Sequence, residues 1–334
     1  MRQIISGLLA VCVILAVTGC GVSQVPAPQT GIAGDIVTDR AAVTPEDSSD
    51  AVIQASPPEP SQSLGVLFFS DTQANPETGD YSGVRDLLAG ALSLDNRADI
   101  CIFGGDTVND GSLDTEWDDF RQAVYPLTDK LITAAIPGNH DDTALLAEQF
   151  DYPAKASAGH GEGYFYSLRM GPVFFIMLDS NIMGAANQTD IDRLQSELQS
   201  GDARQAVWRV AVMHHPMWPV ADIPKDIQRA ETMREYFLPI LEEYGVELIL
   251  CGHQHVYART LPMSGEAVCS GGNGIAQIMA ASGGKESYIL GDREYIAADA
   301  PAPNYLYLFA DDRRLTVTVY NGEHSVIDEI TMQK

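Results

Sequence analysis

Cys251-Gly252-His253-Gln254-His255 follows directly on the apolar run Val246 to Leu250, and this junction decides the reading of the chain. Two imidazoles two residues apart, at the point where a strand ends, can both turn toward one spot above a sheet. Imidazole is the commonest protein ligand for transition metals, so the pair calls for partners. Working outward, four further loops supply them. Gly65 to Phe69 reads as a buried strand and delivers Ser70-Asp71-Thr72-Gln73. Asp99 to Phe103 delivers Gly104-Gly105-Asp106-Thr107-Val108-Asn109-Asp110-Gly111. Leu131 to Ile136 delivers Pro137-Gly138-Asn139-His140-Asp141, and Val207 to Met213 delivers His214-His215-Pro216. Short apolar runs alternating with helical stretches predict an α/β sheet. In such sheets polar groups gather beyond the carboxyl ends of the strands. Five loops should therefore meet at one edge.

In order and spacing these five motifs resemble those of the calcineurin-like metallophosphoesterases, and within them the purple acid phosphatase branch, over roughly residues 64–334. The resemblance implies a four-layer α/β/β/α sandwich of two mixed sheets. It also implies two divalent metal ions, of Mn, Fe, Mg or Zn. One would take Asp71, Asp106 and His255; the other would take Asp106, Asn139, His214 and His253. Two cations roughly 3.5–4 Å apart need a bridging carboxylate to relieve their repulsion, and Asp106 fills that place. Such ions make hydroxide accessible near neutral pH and clamp phosphoryl oxygens for in-line attack. His140 matches the residue that steadies the phosphate and assists the leaving group. The expected activity is hydrolysis of phosphate mono- or diesters of small molecules.

Two positions depart from the family. Where many members carry Asp-x-His the chain has Gln73, and where purple acid phosphatases carry a tyrosine it has Asn109. Either carboxamide could coordinate or stand beside the metal. An amide oxygen is a harder, weaker donor than imidazole, which tilts the site away from zinc. The Asn-Asp-Gly turn gives Asn109 a purely structural alternative. These two departures also support the rival expectation of a catalytically weakened lipoprotein that binds phosphate or a phosphopolymer. Three more residues fall near the same edge. His215 is expected to line the pocket or to stand behind the ligands, not to coordinate. Asp179 is a candidate to orient a ligand histidine, as carboxylates often do, or a plain loop residue. Trp218 is a candidate wall of the cleft or a core residue. His160 and His324 read as surface residues.

The amino terminus carries a separate message. Arg2, an apolar stretch to Val17 and then Thr18-Gly19-Cys20 describe a signal peptide over residues 1–19, too short for a membrane span. Val17 to Cys20 resembles a bacterial lipobox, which would lipidate Cys20 and place the protein on the extracytoplasmic face of the cell membrane. Cleavage nearby with free secretion is the alternative. Residues 20–63 hold six prolines among small polar residues and read as a disordered linker, spanning on the order of 35–40 Å.

Composition agrees with this division. Residues 64–334 suffice for one large α/β domain. With 20 Lys and Arg against 46 Asp and Glu, no nucleic-acid surface is expected, since phosphate backbones are bound by clustered cations. Remote negative charge is screened within roughly 8–10 Å and leaves a phosphate substrate open. Cys101 and Cys251 fall in buried strands and no disulfide framework is implied. Helices are expected near 81–94, 113–124, 144–150, 190–199 and 227–244. Later strands are expected near 163–169, 173–178, 276–281, 305–310, 315–320 and 326–331.

Overall fold

Alternate side chains of a strand point to opposite faces, and β1 (Leu64–Phe69) is buried on both. That is the signature of a strand covered by layers on either side. The computed structural model describes residues 63–75, 77–94, 97–154, 165–271 and 273–334. The predicted signal peptide, Cys20, residues 20–62 of the predicted linker, and His160 lie outside the described residues.

Parallel to β1 run β2 (Ile100–Phe103) and β3 (Ile132–Ala135). β4 (Tyr166–Met170) pairs antiparallel with β5 (Val173–Leu178), which starts a parallel run through β6 (Trp208–Met213) and β7 (Leu248–Cys251). β8 (Val256–Thr260) turns back. A small ribbon of β9 (Met263–Ser264) and β10 (Ala267–Val268) follows, and β11 (Ala276–Met279) returns parallel to β7. β12 (Ile296–Pro301) pairs antiparallel with β8. Finally β13 (Asn304–Ala310), β14 (Arg314–Asn321) and β15 (Val326–Gln333) extend the first sheet antiparallel from β1. The strand orders are β15-β14-β13-β1-β2-β3 and β12-β8-β11-β7-β6-β5-β4.

Three apolar cores hold these layers. Val66 and Phe68 of β1 face Val210, Val212 and Leu250 of the second sheet in the central core. Leu67 and Phe69, the alternate residues, pack with Leu87, Leu88 and Phe120 of the helices Ser82–Ser93 and Asp114–Thr128. On the far side, Ala211, Met213 and Ile249 pack with Leu194, Leu198 and Met233 of the helices Gln188–Leu198 and Pro224–Tyr236. Helix, sheet, sheet, helix is the expected four-layer α/β sandwich. Replacing a buried ring such as Phe68 by Ala would cost about 3–5 kcal/mol.

Departures from the sequence expectation are local. The helix expected over 227–244 is two, Pro224–Tyr236 and Leu238–Glu243, because Pro239 in the first turn of the second has no N–H to continue the ladder. β8 and β12 escape sequence reading for different reasons. β8 follows the His pair with no turn residue between, and β12 is an alanine-rich, half-exposed edge strand of low β-propensity. His324 is half-buried, with Nδ1 3.1 Å from the Tyr305 hydroxyl.

Candidate metal centre

Parallel strands deliver their carboxyl ends to one edge, and the loops there turn back sharply. Asp71, Asp106, His253 and His255 sit at φ of 53°, 51°, 77° and 49°. A left-handed non-glycine residue costs about 1–3 kcal/mol and persists only where the surroundings enforce it. Of the six such residues described, four are candidate ligands. Two glycines permit the close approach. A Cβ on Gly138 would lie 2.1 Å from Asp106 Oδ1, and one on Gly252 would lie 2.2 Å from Asp71 Oδ2.

Two clusters form, sharing one carboxylate: Asp106, His214 and His253, and Asp71, Asp106 and His255. Each imidazole is fixed through one nitrogen. His214 Nδ1 is 3.0 Å from the Gly104 carbonyl, His253 Nε2 is 3.0 Å from Asp226 Oδ1, and His255 Nδ1 is 3.1 Å from the Glu286 carbonyl. Their other nitrogens turn inward. His255 Nε2 lies 3.5 Å from Asp71 Oδ1, and His214 Nε2 lies 3.4 Å from Asp106 Oδ1 without hydrogen-bond geometry. His253 Nδ1 is buried with no partner, as are both polar atoms of the Gln73 side chain. An unsatisfied buried polar atom costs about 1–3 kcal/mol. Three of these atoms, His214 Nε2, His253 Nδ1 and Gln73 Oε1, can offer a lone pair beside Asp71 and the shared Asp106, and they fit divalent cations because coordination would satisfy them together. Oxygen and imidazole donors in this mix suit Mn, Fe, Mg or Zn without choosing among them.

The protein's own charges point the same way. Burial lifts the Asp71 carboxyl to about 6; His214 opposes the rise and the Asp106 charge adds to it. Burial also lifts Asp141 to about 7, reinforced by Asp106. For His214, burial would lower the pKa, yet the Asp106 carboxylate beside it raises it to about 9. Asp106 itself is held low, because His214 and the His140 N–H outweigh its burial. Burial depresses His253, His255 and His215. Acids pushed up by burial, with the Asp106 charge adding to the rise, mark a place short of positive charge.

The remaining residues separate clearly. His140 donates its backbone N–H to Asp106 Oδ1 at 2.9 Å, and its ring Nδ1 is 2.7 Å from the Asn109 carbonyl. That ring is 40% exposed, with Nε2 4.0 Å from Asp106 Oδ2. Asn139, beside it, is exposed. Asn109 stands in the turn that the sequence offered as its structural alternative. Its backbone N–H and its carboxamide both reach Glu116 Oε2, at 3.2 and 3.5 Å, where the Tyr81 hydroxyl also donates. The turn spends the side chain on Glu116 and leaves the carbonyl to orient His140. His215 is buried, held to the Ser180 hydroxyl at 2.9 Å, with its ring 4.3 Å from that of His253. Asp179 accepts the Asn181 N–H and caps the helix Ser180–Met183, whose Asn181 amide binds the Gly138 carbonyl. Trp218 is a core residue, its indole N–H 3.0 Å from the Gly265 carbonyl.

Sequence reading missed three supports. Asp226 is the carboxylate that meets His253, although it looks like an ordinary acid in the first turn of a helix opened by Pro224. Gln254, between the two histidines, donates to Asp226 and accepts from the Val220 and Ala221 N–H groups. Asp141 accepts the Thr107, Val108 and Gly138 N–H groups, joining the second and third motifs. Asp141 alone had a signal, its place within Gly-Asn-His-Asp.

This assembly of loops on a two-sheet sandwich defines a candidate metal centre at one sheet edge. The profile of the family described as calcineurin-like phosphoesterase matches residues 64–257, and the chain belongs to that family. All five motifs fall inside the matched segment. Purple acid phosphatase 23 of Arabidopsis thaliana is 30% identical over 151 residues, covering 43% of this chain and 32% of that protein. Purple acid phosphatase 15 of the same plant is 26% identical over 190 residues, covering 54% and 35%. The chain thus spans about a third of the length of these curated relatives. The purple acid phosphatase PPD1 from yellow lupin seeds superposes with a TM-score of 0.69 at 16% identity, over 82% of this chain and 54% of that one, which is a likeness of fold.

Proposed function

We propose that the chain is a dinuclear-metal-dependent phosphoester hydrolase, acting on small phosphate mono- or diesters at the extracytoplasmic face of a cell membrane. The observation that carries this reading is the pair of ligand clusters sharing Asp106, with inward nitrogens left unsatisfied by the protein. Asp71, Asp106 and His255 would hold one cation; Asp106, His214 and His253, with Asn139 at hand, would hold the other. Bound there, divalent cations supply Lewis-acid activation of water and neutralise phosphoryl oxygens. The chain's own part is positioning. Gly104, Asp226 and Glu286 fix the imidazole tautomers, and the tight loops hold Asp106 between the two clusters. His140 stands partly exposed beside Asp106, its Nδ1–H given to the Asn109 carbonyl, so Nε2 is the atom left to meet the substrate. A protonated Nε2 can donate to a phosphoryl or leaving-group oxygen.

One observation favours the rival reading of a weakened phosphate- or phosphopolymer-binding lipoprotein: with Asn109 on Glu116, the Asp71 cluster has one donor fewer than the family pattern supplies. Hydrolysis of p-nitrophenyl phosphate and its bis-ester, with Mn, Mg, Fe or Zn supplied, separates the two. Turnover with any of these metals supports the enzyme. Phosphate binding with no turnover under every metal supports the binding protein. The location rests on the lipobox-like Val17 to Cys20 alone. Two lipid chains anchor stably where one does not, and a diacylated cysteine provides them. Cys20→Ala should move the protein from the membrane to the soluble fraction with activity intact; wild-type protein already soluble would refute the anchor.

A further inference from the structure

Residues 283–291 lie beyond the segment that the family profile matches, yet they are held to that segment at several points. At the start, a Cβ on Gly283 would stand 2.2 Å from the Asp71 carbonyl, so the loop presses on the first motif. The Glu286 carbonyl meets His255 Nδ1, and the Tyr288 N–H donates to the Gln254 carbonyl at 3.2 Å. Leu290 bridges to Ala221, and the Gly291 N–H donates to the Val220 carbonyl at 2.8 Å. A loop pinned this way presents its side chains in fixed places.

Tyr288 is the side chain it presents to the centre. Its ring centroid lies 5.1 Å from that of His255 at 53°, and 6.4 Å from that of His253 at 67°. Among the described residues no other non-imidazole ring is set against these histidines. The ring is half-buried, and its hydroxyl has no hydrogen-bond partner among the described residues. A core tyrosine would be covered and its hydroxyl satisfied. This one is neither, so it offers a ring face and a free donor at the rim of the centre.

We propose that Tyr288 is a specificity-determining residue that packs against the leaving group of the substrate and selects phosphoesters of aromatic alcohols over those of small alkyl alcohols. The inference rests on the hydrolase reading above. A phosphoryl group held at the two clusters must project its ester substituent past the rim, and an aromatic substituent there gains an offset or edge-on ring contact that methyl cannot. Such a contact is worth about threefold to tenfold in affinity.

The test uses Mn-loaded protein titrated calorimetrically with phenylphosphonate and methylphosphonate, which carry no ester bond to break. Tyr288→Leu should weaken phenylphosphonate about threefold to tenfold and leave methylphosphonate unchanged, while Tyr288→Phe should retain the preference. In kinetics, the ratio of kcat/KM for phenyl phosphate to that for methyl phosphate should fall in the Leu variant by the same factor. Dividing wild-type by variant ratios cancels the intrinsic difference between leaving groups. Equal weakening of both phosphonates, or none of either, would overturn the assignment while leaving the hydrolase reading standing. A visible charge-transfer band in iron-loaded protein, lost in Tyr288→Phe, would also overturn it by making the phenol a metal ligand. If neither phosphonate binds the wild-type protein and neither ester is hydrolysed, the hydrolase reading itself falls.

Discussion

Asp226→Asn is a small change with a specific expected consequence. The carboxylate accepts from His253 Nε2 at 3.0 Å and from Gln254 Nε2 at 2.8 Å, one oxygen to each. An asparagine of the same shape has one acceptor and one donor, so it must present its NH2 to one of those two donors. If it faces His253, the imidazole answers by moving its proton to Nδ1, the atom that must carry a lone pair toward a cation. If it faces Gln254, the Gln254 amide, which also accepts from the Val220 and Ala221 N–H groups, loses its acceptor, and His253 Nε2–H keeps only a neutral carbonyl in place of a carboxylate. Removing such an orienting group typically lowers metal affinity 10- to 100-fold, about 1.4–2.8 kcal/mol. The loss of an acid from the first turn of the helix Pro224–Tyr236 would cost a further 0.3–1 kcal/mol or so of stability, without touching metal selectivity. Manganese titrated into stripped protein should therefore show one affinity weakened and the other unchanged, because the Asp71–Asp106–His255 cluster does not contain His253. Thermal melting run alongside would report any general loss of folding. Two unchanged affinities would refute the argument that Asp226 sets the His253 tautomer.

Three further outcomes follow from the same geometry. Asp106→Ala should abolish activity and weaken both metal sites at once, read by metal analysis; two ions retained at full occupancy would sink its shared role. His140→Ala should keep both metals and slow poor leaving groups more than good ones, read from rates across a series of aryl phosphates, whereas loss of one metal would make His140 a ligand. Gln73→His should tighten metal binding at one site and shift its preference toward zinc, since both carboxamide atoms stand unpartnered where imidazole would bring a stronger donor. Metal titrations that match the wild type would remove Gln73 from the coordination sphere.

The sequence carried the strand ends well because strand and ligand are neighbours in the chain. A run such as Leu248 to Cys251 and the His253 that follows are one local pattern, and five repeats of it could be read without knowing how the sheets pack. The layered fold was legible for the same reason: both faces of β1 are apolar, so a cover on each side was required. What stayed hidden is the set of contacts made across the chain. His253 meets Asp226 at a separation of 27 residues, His214 meets Gly104 at 110, and Ser282 donates its N–H to the Ser70 carbonyl. No periodicity in the sequence records such pairs. Asn109 shows the reverse case. Its place in a turn was readable, but the acceptor that claims its side chain, Glu116, lies in the next helix and became decisive only with the fold in place.

The centre concentrates features that each destabilise a folded chain. Left-handed aspartates and histidines, imidazole nitrogens without partners, and carboxyls driven up by burial all fall within the same few loops. Elsewhere the described interior is apolar and closely layered, with three cores to sustain that cost. The open nitrogens and the crowded carboxylates would be relieved by a cation. Coordination satisfies the open nitrogens, neutralises the crowded carboxylates, and needs the backbone turned as it is. A purely structural role would remove one or two of these features at no loss, for instance by placing a hydroxyl opposite His253 Nδ1. Their coincidence is therefore explained by what the loops are built to hold, and the strain is best understood as the condition for holding it.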